Sequence, residues 1–356
     1  DLRTTLLEPR EFRWPVQGEV VVARWSTAQR VAQTHCMSLP STNVFVVGDE
    51  AHRVRNLSTK TARGLREILG HADRFIAVTG TPIMNSPDDL WNLIRLTRQD
   101  RVINPVDWCE GITLDSKGRA IRVSDALRKR LRLVMLRRTK ADVLPDLPPK
   151  IRETVWVPIT ERNLLVELDR ALREVGGIRA LEETLEGVRG KAERFRVRAC
   201  LASAMALLAS AKITAVLDWI EKFEAAGDPV VVSSVHRDPI ELLAARDGWA
   251  AITGSTSVTQ RTRAVDDFQA GRLKGIGITT AGGEGITLNQ SNQHLSIDLD
   301  WLPGVNTQLE DRQHRLGLEK PLTIRRFVAD HPVDEIIARV TGRRMAMLES
   351  AGLSVE

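Results

Sequence analysis

A rhythm of short β-branched runs separated by helical patterns limits this chain to a small set of architectures. Glu19–Arg24 (EVVVAR), Asn43–Val47 (NVFVV) and Arg74–Val78 (RFIAV) read as buried strands. Helical spacing over Thr27–Gln33 and Ser58–Leu69 fills the intervals between them. Continuous apolar strands alternating with helices predict a parallel sheet with helices on both faces. Pro87–Leu96 then opens a helix with Pro and two acids in its first turn, where a missing N–H and negative charge both suit the N-terminus. From Arg101 to about Ala211 the strand signals thin. Ser124–Leu136 reads as a basic amphipathic helix, and Thr160–Ala211 as mostly helical with a break at Gly176-Gly177. The rhythm resumes with a helix over Ala211–Ala226. Strands are expected at Pro229–Ser233, Trp249–Ile252, Gly275–Thr279, His294–Leu299 and Leu322–Val328, with a closing helix over Val333–Ser350. The expectation is α/β throughout: a lobe over 1–100, a helical insertion and linker over 101–210, and a second lobe over 211–356.

The 356 residues, 42% hydrophobic and 27% charged, exceed what one core usually serves. They exclude wholesale disorder, a collagen-like fibre and a disulfide-stapled miniprotein. Cys36, Cys109 and Cys200 are too far apart for a zinc knuckle or a redox pair, and so sparse a count points to a reducing, intracellular compartment. No stretch reads as a membrane span; Ala199–Ala211 is short, ends at Lys212 and reads as a buried helix. No basic-then-apolar leader opens the chain. A formal net charge of +5 permits a polyanionic partner without requiring one. Arginine outnumbers lysine by 41 to 10, a bias that a GC-rich genome would produce on its own. It matters because Arg grips phosphate with two bonds where Lys is a point charge. The cations Arg128, Lys129, Arg130, Arg132, Arg137 and Arg138 read first as a solvated face and second as a phosphate-facing one.

The sharpest local signal is Val46-Val47-Gly48-Asp49-Glu50-Ala51-His52. An apolar strand ends in two adjacent carboxylates at the sheet edge where open α/β folds bind ligands. One carboxylate can hold Mg²⁺ through water, and the second can orient and deprotonate a water attacking a phosphate. A bare Asp-Glu pair would be an acidic helix cap; DEAH after a strand is more specific. Thr79-Gly80-Thr81-Pro82 follows the next strand, and alone would be an ordinary turn. In the second lobe, Thr280-Ala281-Gly282-Gly283-Glu284-Gly285 puts three glycines into four residues, which lets a backbone approach a phosphate. Further on, Arg312 and Arg315 stand three apart and are expected on one helix face. Guanidiniums so placed can meet charge developing on a transferred phosphoryl group, although salt bridges to Glu310 or Asp311 would serve as well.

Taken in order, these segments resemble the Swi/Snf-type DNA translocases of the superfamily-two helicases, from about Glu19 to the last helix. Asp49 to His52 with Asn56 resembles a Walker B motif, and Thr79 to Asn85 (TGTPIMN) resembles motif III. Arg137-Arg138-Thr139-Lys140-Ala141-Asp142-Val143 followed by Leu147-Pro148-Pro149-Lys150 is similar to the signature that links the lobes. Gly254-Ser255-Thr256, Ala281 to Ile286, and Asp300-Trp301-Leu302-Pro303-Gly304 with Gln308, Asp311, Arg312 and Arg315 resemble the later motifs. The resemblance implies two RecA-like lobes, the first incomplete at its N-terminus, with ATP and Mg²⁺ as ligands. Asp49 would hold the metal, and Glu50, Arg312 and Arg315 would be catalytic. Asp49, His52, Gly283, Gly285 and Gln308 would meet the nucleotide. Thr79, Thr81 and Asn85 would couple it to DNA. Ser233, Ser255, Thr280 and Trp301 would lie along the duplex, touching mainly phosphate.

The chain departs from that pattern in one large respect. The loop G-x-x-x-x-G-K-[ST] that cradles β- and γ-phosphates is absent; Gly190-Lys191 is followed by Ala192 and lies after DEAH. Two explanations stand: a portion of a longer or split enzyme whose upstream polypeptide supplies the loop, or a degenerate protein that binds DNA without turnover. An RNA helicase of the same superfamily is a third reading. Two smaller departures are Gly48, expected to loosen its strand, and Leu318, which replaces a polar residue beside the arginines.

Overall fold

The structure is a computed structural model describing residues 2–8, 11–34, 40, 43–84, 86–116, 120–174, 176–185, 191–283 and 285–350, with the side chains of 32–34, 191–200 and 350 left aside. The chain divides into a first unit ending at Arg137, to which Met347 also belongs, and a second unit spanning Arg138–Ala346.

In the first unit, β1 (Arg3–Leu6) pairs in parallel with β2 (Glu19–Val22), and α1 (Trp25–Thr34) follows. Strand β3 (Phe45–Gly48) leads through a 3₁₀ turn, Ala51–Val54, to α2 (Lys60–Gly70) and β4 (Arg74–Ala77). Then come α3 (Pro87–Leu96), α4 (Pro105–Glu110), a hairpin of β5 (Ile112–Leu114) and β6 (Ala120–Val123), and α5 (Asp125–Val134). Side-chain caps fix the starts: Thr59 accepts from the Ala62 amide, Asn104 from Asp107 and Ser124 from Leu127. Strands β3 and β4 pair in parallel with Val47 opposite Ile76. Their inner face, Val46, Phe75 and Ala77, packs on Leu65, Leu69, Leu93 and Leu96. Gly48 is part of this packing: a Cβ there would stand 3.0 Å from the Phe75 ring and 3.1 Å from Trp25. Far from loosening the strand, its missing side chain is what admits the two rings.

The second unit opens with α6 (Lys140–Val143), β7 (Lys150–Val157), α7 (Arg162–Glu174), α8 (Gly177–Leu185) and α9 (Lys191–Ala226). It continues with β8 (Val230–Ser234), α10 (Arg237–Ala244), β9 (Trp249–Ile252), α11 (Val258–Gln269), β10 (Gly275–Thr279), β11 (Gln293–Ser296), α12 (Pro303–Glu310), β12 (Leu322–Ala329) and α13 (Pro332–Ser350). Six strands form one parallel sheet in the order β7-β12-β11-β8-β10-β9. Val230 and Val232 face α9 and α10, whereas Val231 and Ile276 face Phe268 of α11 and Leu309 of α12. Each such side chain, fully removed from water, stabilises the fold by roughly 1.5–3 kcal/mol.

Several elements differ from the sequence reading. Lys150–Val157, assigned to the helical stretch, is the outer strand β7 of the sheet. Most of its residues are exposed, Ile151 and Trp156 among them, which hides the usual buried-strand signal. The β5–β6 hairpin also falls inside the stretch read as helical. Helix α9 starts at Lys191 and runs unbroken through Ala211. Its segment Leu201–Ala226 is long and apolar enough to cross a membrane, contrary to the expectation from sequence. In the structure Leu201, Met205 and Leu208 pack on α7, α8 and α13, while Val216 and Ile220 pack on the sheet. Within this helix Lys212 is fully buried, 2.8 Å from Asp334 and donating to the Phe327 carbonyl.

Candidate functional site

In the first unit the acidic motif sits at the C-terminal end of β3. Glu50 adopts φ 50°, ψ 46°, a left-handed conformation that costs a non-glycine residue roughly 1–2 kcal/mol. Backbone strain of this kind gathers at functional positions. The turn is held by the Ala51 amide donating to the Val78 carbonyl, the Trp25 indole donating to the Asp49 carbonyl, and the Glu50 amide donating to Asp49 Oδ1. His52 joins the two strand ends: its Nδ1 lies 3.2 Å from Glu50 Oε2, 3.1 Å from Thr79 Oγ1 and 3.4 Å from Thr81 Oγ1. Thr81 is buried and its amide donates to Thr79 Oγ1. Glu50, His52, Thr79 and Thr81 thus form one connected cluster with Asp49 exposed beside it. Asn85 lies outside the described residues.

Among the described residues no three His, Cys, Asp or Glu side chains converge as a metal cage. Mg²⁺ does not need one, since it retains water and phosphate ligands around one or two carboxylates. An exposed Asp49 at a strand end fits that requirement. The phosphate cradle does not occur in these 356 residues.

In the second unit the glycine-rich turn follows β10. Gly283 donates to the Thr279 carbonyl and Gly282 to Thr279 Oγ1. The glycines are required by packing: a Cβ on Gly282 would meet the Ile252 carbonyl at 2.2 Å, and one on Gly283 would meet Leu309 at 2.9 Å. Gly285 is left-handed at φ 74°. Thr280 is half-buried and Ser255 exposed, in a turn where Thr253 Oγ1 lies 2.9 Å from Ser255 Oγ. Trp301 packs partly against the α7–α9–α13 cluster, and its carbonyl accepts from Arg344. Gln308 is half-buried on α12.

Arg312 and Arg315 are not on a helix. Helix α12 ends at Glu310, because tertiary bonds draw the next residues away. Gln313 donates to the Ser291 and Gln293 carbonyls and takes a 2.5 Å bond from His294 Nδ1. Arg315 Nε donates to the Asp311 carbonyl at 3.0 Å and its NH1 to Thr287 Oγ1 at 2.9 Å. The Arg312 carbonyl accepts from the Leu288 amide. The arginine loop is therefore laid against the segment that follows the glycine turn.

The position expected to carry Ser233 along the duplex is also corrected. Ser233 is 1% exposed, and its hydroxyl donates to His294 Nε2 at 2.8 Å. Burial holds His294 below its usual range, keeping it neutral so that Nε2 can accept. Leu318 is buried against Leu147, Leu322 and Ile324, so it is a packing residue.

Comparison with known proteins follows the same order of segments. Residues 11–166 match the SNF2-related domain, and residues 211–317 match the helicase conserved C-terminal domain. The chain belongs to the Swi/Snf-type superfamily-two helicase-like ATPases. It is 27% identical over 335 residues to the SWI/SNF-related matrix-associated actin-dependent regulator of chromatin subfamily A-like protein 1 of Drosophila melanogaster, covering 88% of this chain and 42% of that protein. It is 26% identical to the ISWI chromatin-remodeling complex ATPase ISW1 of Saccharomyces cerevisiae, covering 83% of this chain and 28% of that protein. The chain thus spans less than half the length of these relatives. The SWI2/SNF2 ATPase core of Sulfolobus solfataricus in complex with dsDNA matches with a TM-score of 0.41 at 20% identity, over 92% of this chain and 72% of that one.

The Swi/Snf-type signature contributes more than its sequence revealed. Lys140 and Lys150 both reach Asp311, and Arg152 and Arg326 reach the buried Glu310 at 2.8 and 2.6 Å. Burial would raise Glu310, but Arg326, Arg152 and Lys150 outweigh it and hold it down to about 2. The two lysines stand in the quoted signature, yet nothing in their spacing points to a partner more than 150 residues away.

Proposed function

We propose that this Swi/Snf-type chain carries the acidic and arginine parts of an ATP-driven motor on double-stranded DNA. The observation that carries the reading is the His52-centred cluster, which ties Glu50 at the end of β3 to Thr79 and Thr81 beyond the adjacent β4. Asp49 would hold Mg²⁺, which when bound supplies positive charge to the phosphates. Glu50 orients a water and accepts its proton at the carboxylate. His52 transmits the position of that carboxylate to Thr79 and Thr81, coupling the nucleotide to DNA contact. Arg312 and Arg315 present guanidiniums to the phosphate charge, with Gly283, Gly285 and Gln308 nearby in the same unit. Ser255, Thr280 and Trp301 remain contacts for the DNA backbone in this reading, and such contacts make binding fall steeply with salt. The phosphate cradle comes from polypeptide outside these 356 residues. The exposed apolar face of Phe45, Val47, Ile76 and Val78 is a surface for such a segment to cover. An intracellular location follows from a DNA substrate.

The test is Glu50→Gln in a preparation of the full reading frame that hydrolyses ATP in the presence of duplex DNA. Turnover is expected to fall by about 10²–10⁴-fold, with ATP binding retained. Undiminished turnover would remove Glu50 from this role.

A further inference from the structure

The boundary between the two units falls at Arg137/Arg138, and the segment immediately after it is fastened to the arginine loop. Thr139 and Asp142 close a capping box that rigidifies α6. From its first residue, Lys140 Nζ donates to the His314 carbonyl at 2.8 Å and lies 2.7 Å from Asp311 Oδ1. Lys150 Nζ reaches the same oxygen at 2.5 Å. Between them, the Pro148 carbonyl accepts from His314 Nε2 at 2.7 Å, and Leu147 packs on Leu318. Four attachment points on 140–150 therefore meet 311–318. Asp311 is the hub: two ammoniums hold its carboxylate, while its backbone carbonyl receives Arg315 Nε.

We propose that Lys140 and Lys150 are positioning residues for the arginine pair. By fixing Asp311 they aim Arg315, so a displacement of the linker reaches the guanidiniums directly. The second half of the linker then works as a handle on the arginine loop, not as a slack tether. The proposal rests on reading Arg312 and Arg315 as groups that face the nucleotide, and its test separates the two ideas. A ladder of amides reports the loop: Asp311, Arg312, Gln313, His314 and Arg315 each donate to a backbone carbonyl.

Hydrogen exchange on this chain should show those amides opening about tenfold faster in Lys140→Met, with β8 and β10 unchanged and Lys140→Arg restoring protection. Asp311→Asn, which keeps the shape and removes the charge, should reproduce the effect. Unchanged exchange over 311–315 in both Lys140→Met and Asp311→Asn would overturn the proposal. In the hydrolysing preparation, Lys140→Met should lower kcat about tenfold at constant KM for ATP, the mark of a group that acts after binding. An unchanged kcat there overturns the positioning role and leaves the nucleotide reading standing. Conversely, if Arg315→Ala leaves hydrolysis intact while the exchange effect is present, the nucleotide reading fails and the handle remains.

Discussion

Strands β8 and β10 in the second unit are buried at every residue, whereas β3 and β4 in the first unit hide only alternate ones. On the bare side, Phe45 and Val47 are each 63% exposed and Ile76 is 55% exposed. Parallel sheets are normally covered on both faces, and apart from Arg74 at the start of β4 the side chains of β3 and β4 are apolar on both. The difference separates two requirements that usually travel together. Placing the acids needs only the inner face, where β3 and β4 rest on α2 and α3. Stabilising the sheet as a whole needs the outer face as well.

The largest effects should come from the second unit. Lys212→Met leaves Asp334 buried without its partner and should cost about 3–5 kcal/mol in denaturant unfolding. Its counterpart in the first unit, the exposed Arg128–Asp125 pair, should lose no more than about 1 kcal/mol when Arg128 becomes Ala. A loss at Arg128 as large as that at Lys212 would break the contrast. The same logic applies to the sheets. Ile278→Ala, in fully buried β10, should cost about 2–5 kcal/mol, while Ile76→Ala should change stability by less than about 0.5 kcal/mol. If a segment covers the outer face in a longer preparation, the Ile76→Ala cost should rise toward the Ile278→Ala value.

A smaller effect sharpens the comparison through pH. Burial, with the neighbouring charge of Asp298, pushes Asp300 up from the ordinary carboxylate range to about 6. The folded state therefore holds this proton more tightly than the unfolded chain. Its contribution is present below pH 4 and is lost as pH rises toward 6, a swing of about 3 kcal/mol. Asp300→Asn keeps an oxygen for the Leu302 amide and should flatten that slope, raising stability above pH 6. An unaltered slope would show that Asp300 is solvated in the folded protein.

How much of this was legible depended on covering. Trp249–Ile252 and Gly275–Thr279 read as strands with their observed bounds because covered strands are continuously apolar. Strand β7 was invisible because, unlike β9 at the other edge of the sheet, most of its residues are exposed, which permits charges and an exposed Trp156. The strand β1 was missed for a similar reason, its Thr4 and Leu6 being exposed. Glu50, His52, Thr79 and Thr81, gathered at the ends of β3 and β4 with Asp49 beside them, stand in motifs that local sequence alone displays. Ser233 and the Arg312–Arg315 loop were misread because the deciding bonds, from His294 and Gln313, span 61 and 19 residues. Local spacing carries no information about such partners.

The proposed function assigns Glu50 and Arg315 to one phosphoryl transfer. A double-mutant cycle on DNA-stimulated hydrolysis tests it most directly. Groups that act as one unit are strongly non-additive, so Glu50→Gln with Arg315→Ala should be scarcely slower than Glu50→Gln alone. Losses that multiply, or an Arg315→Ala protein with full turnover, would contradict the account.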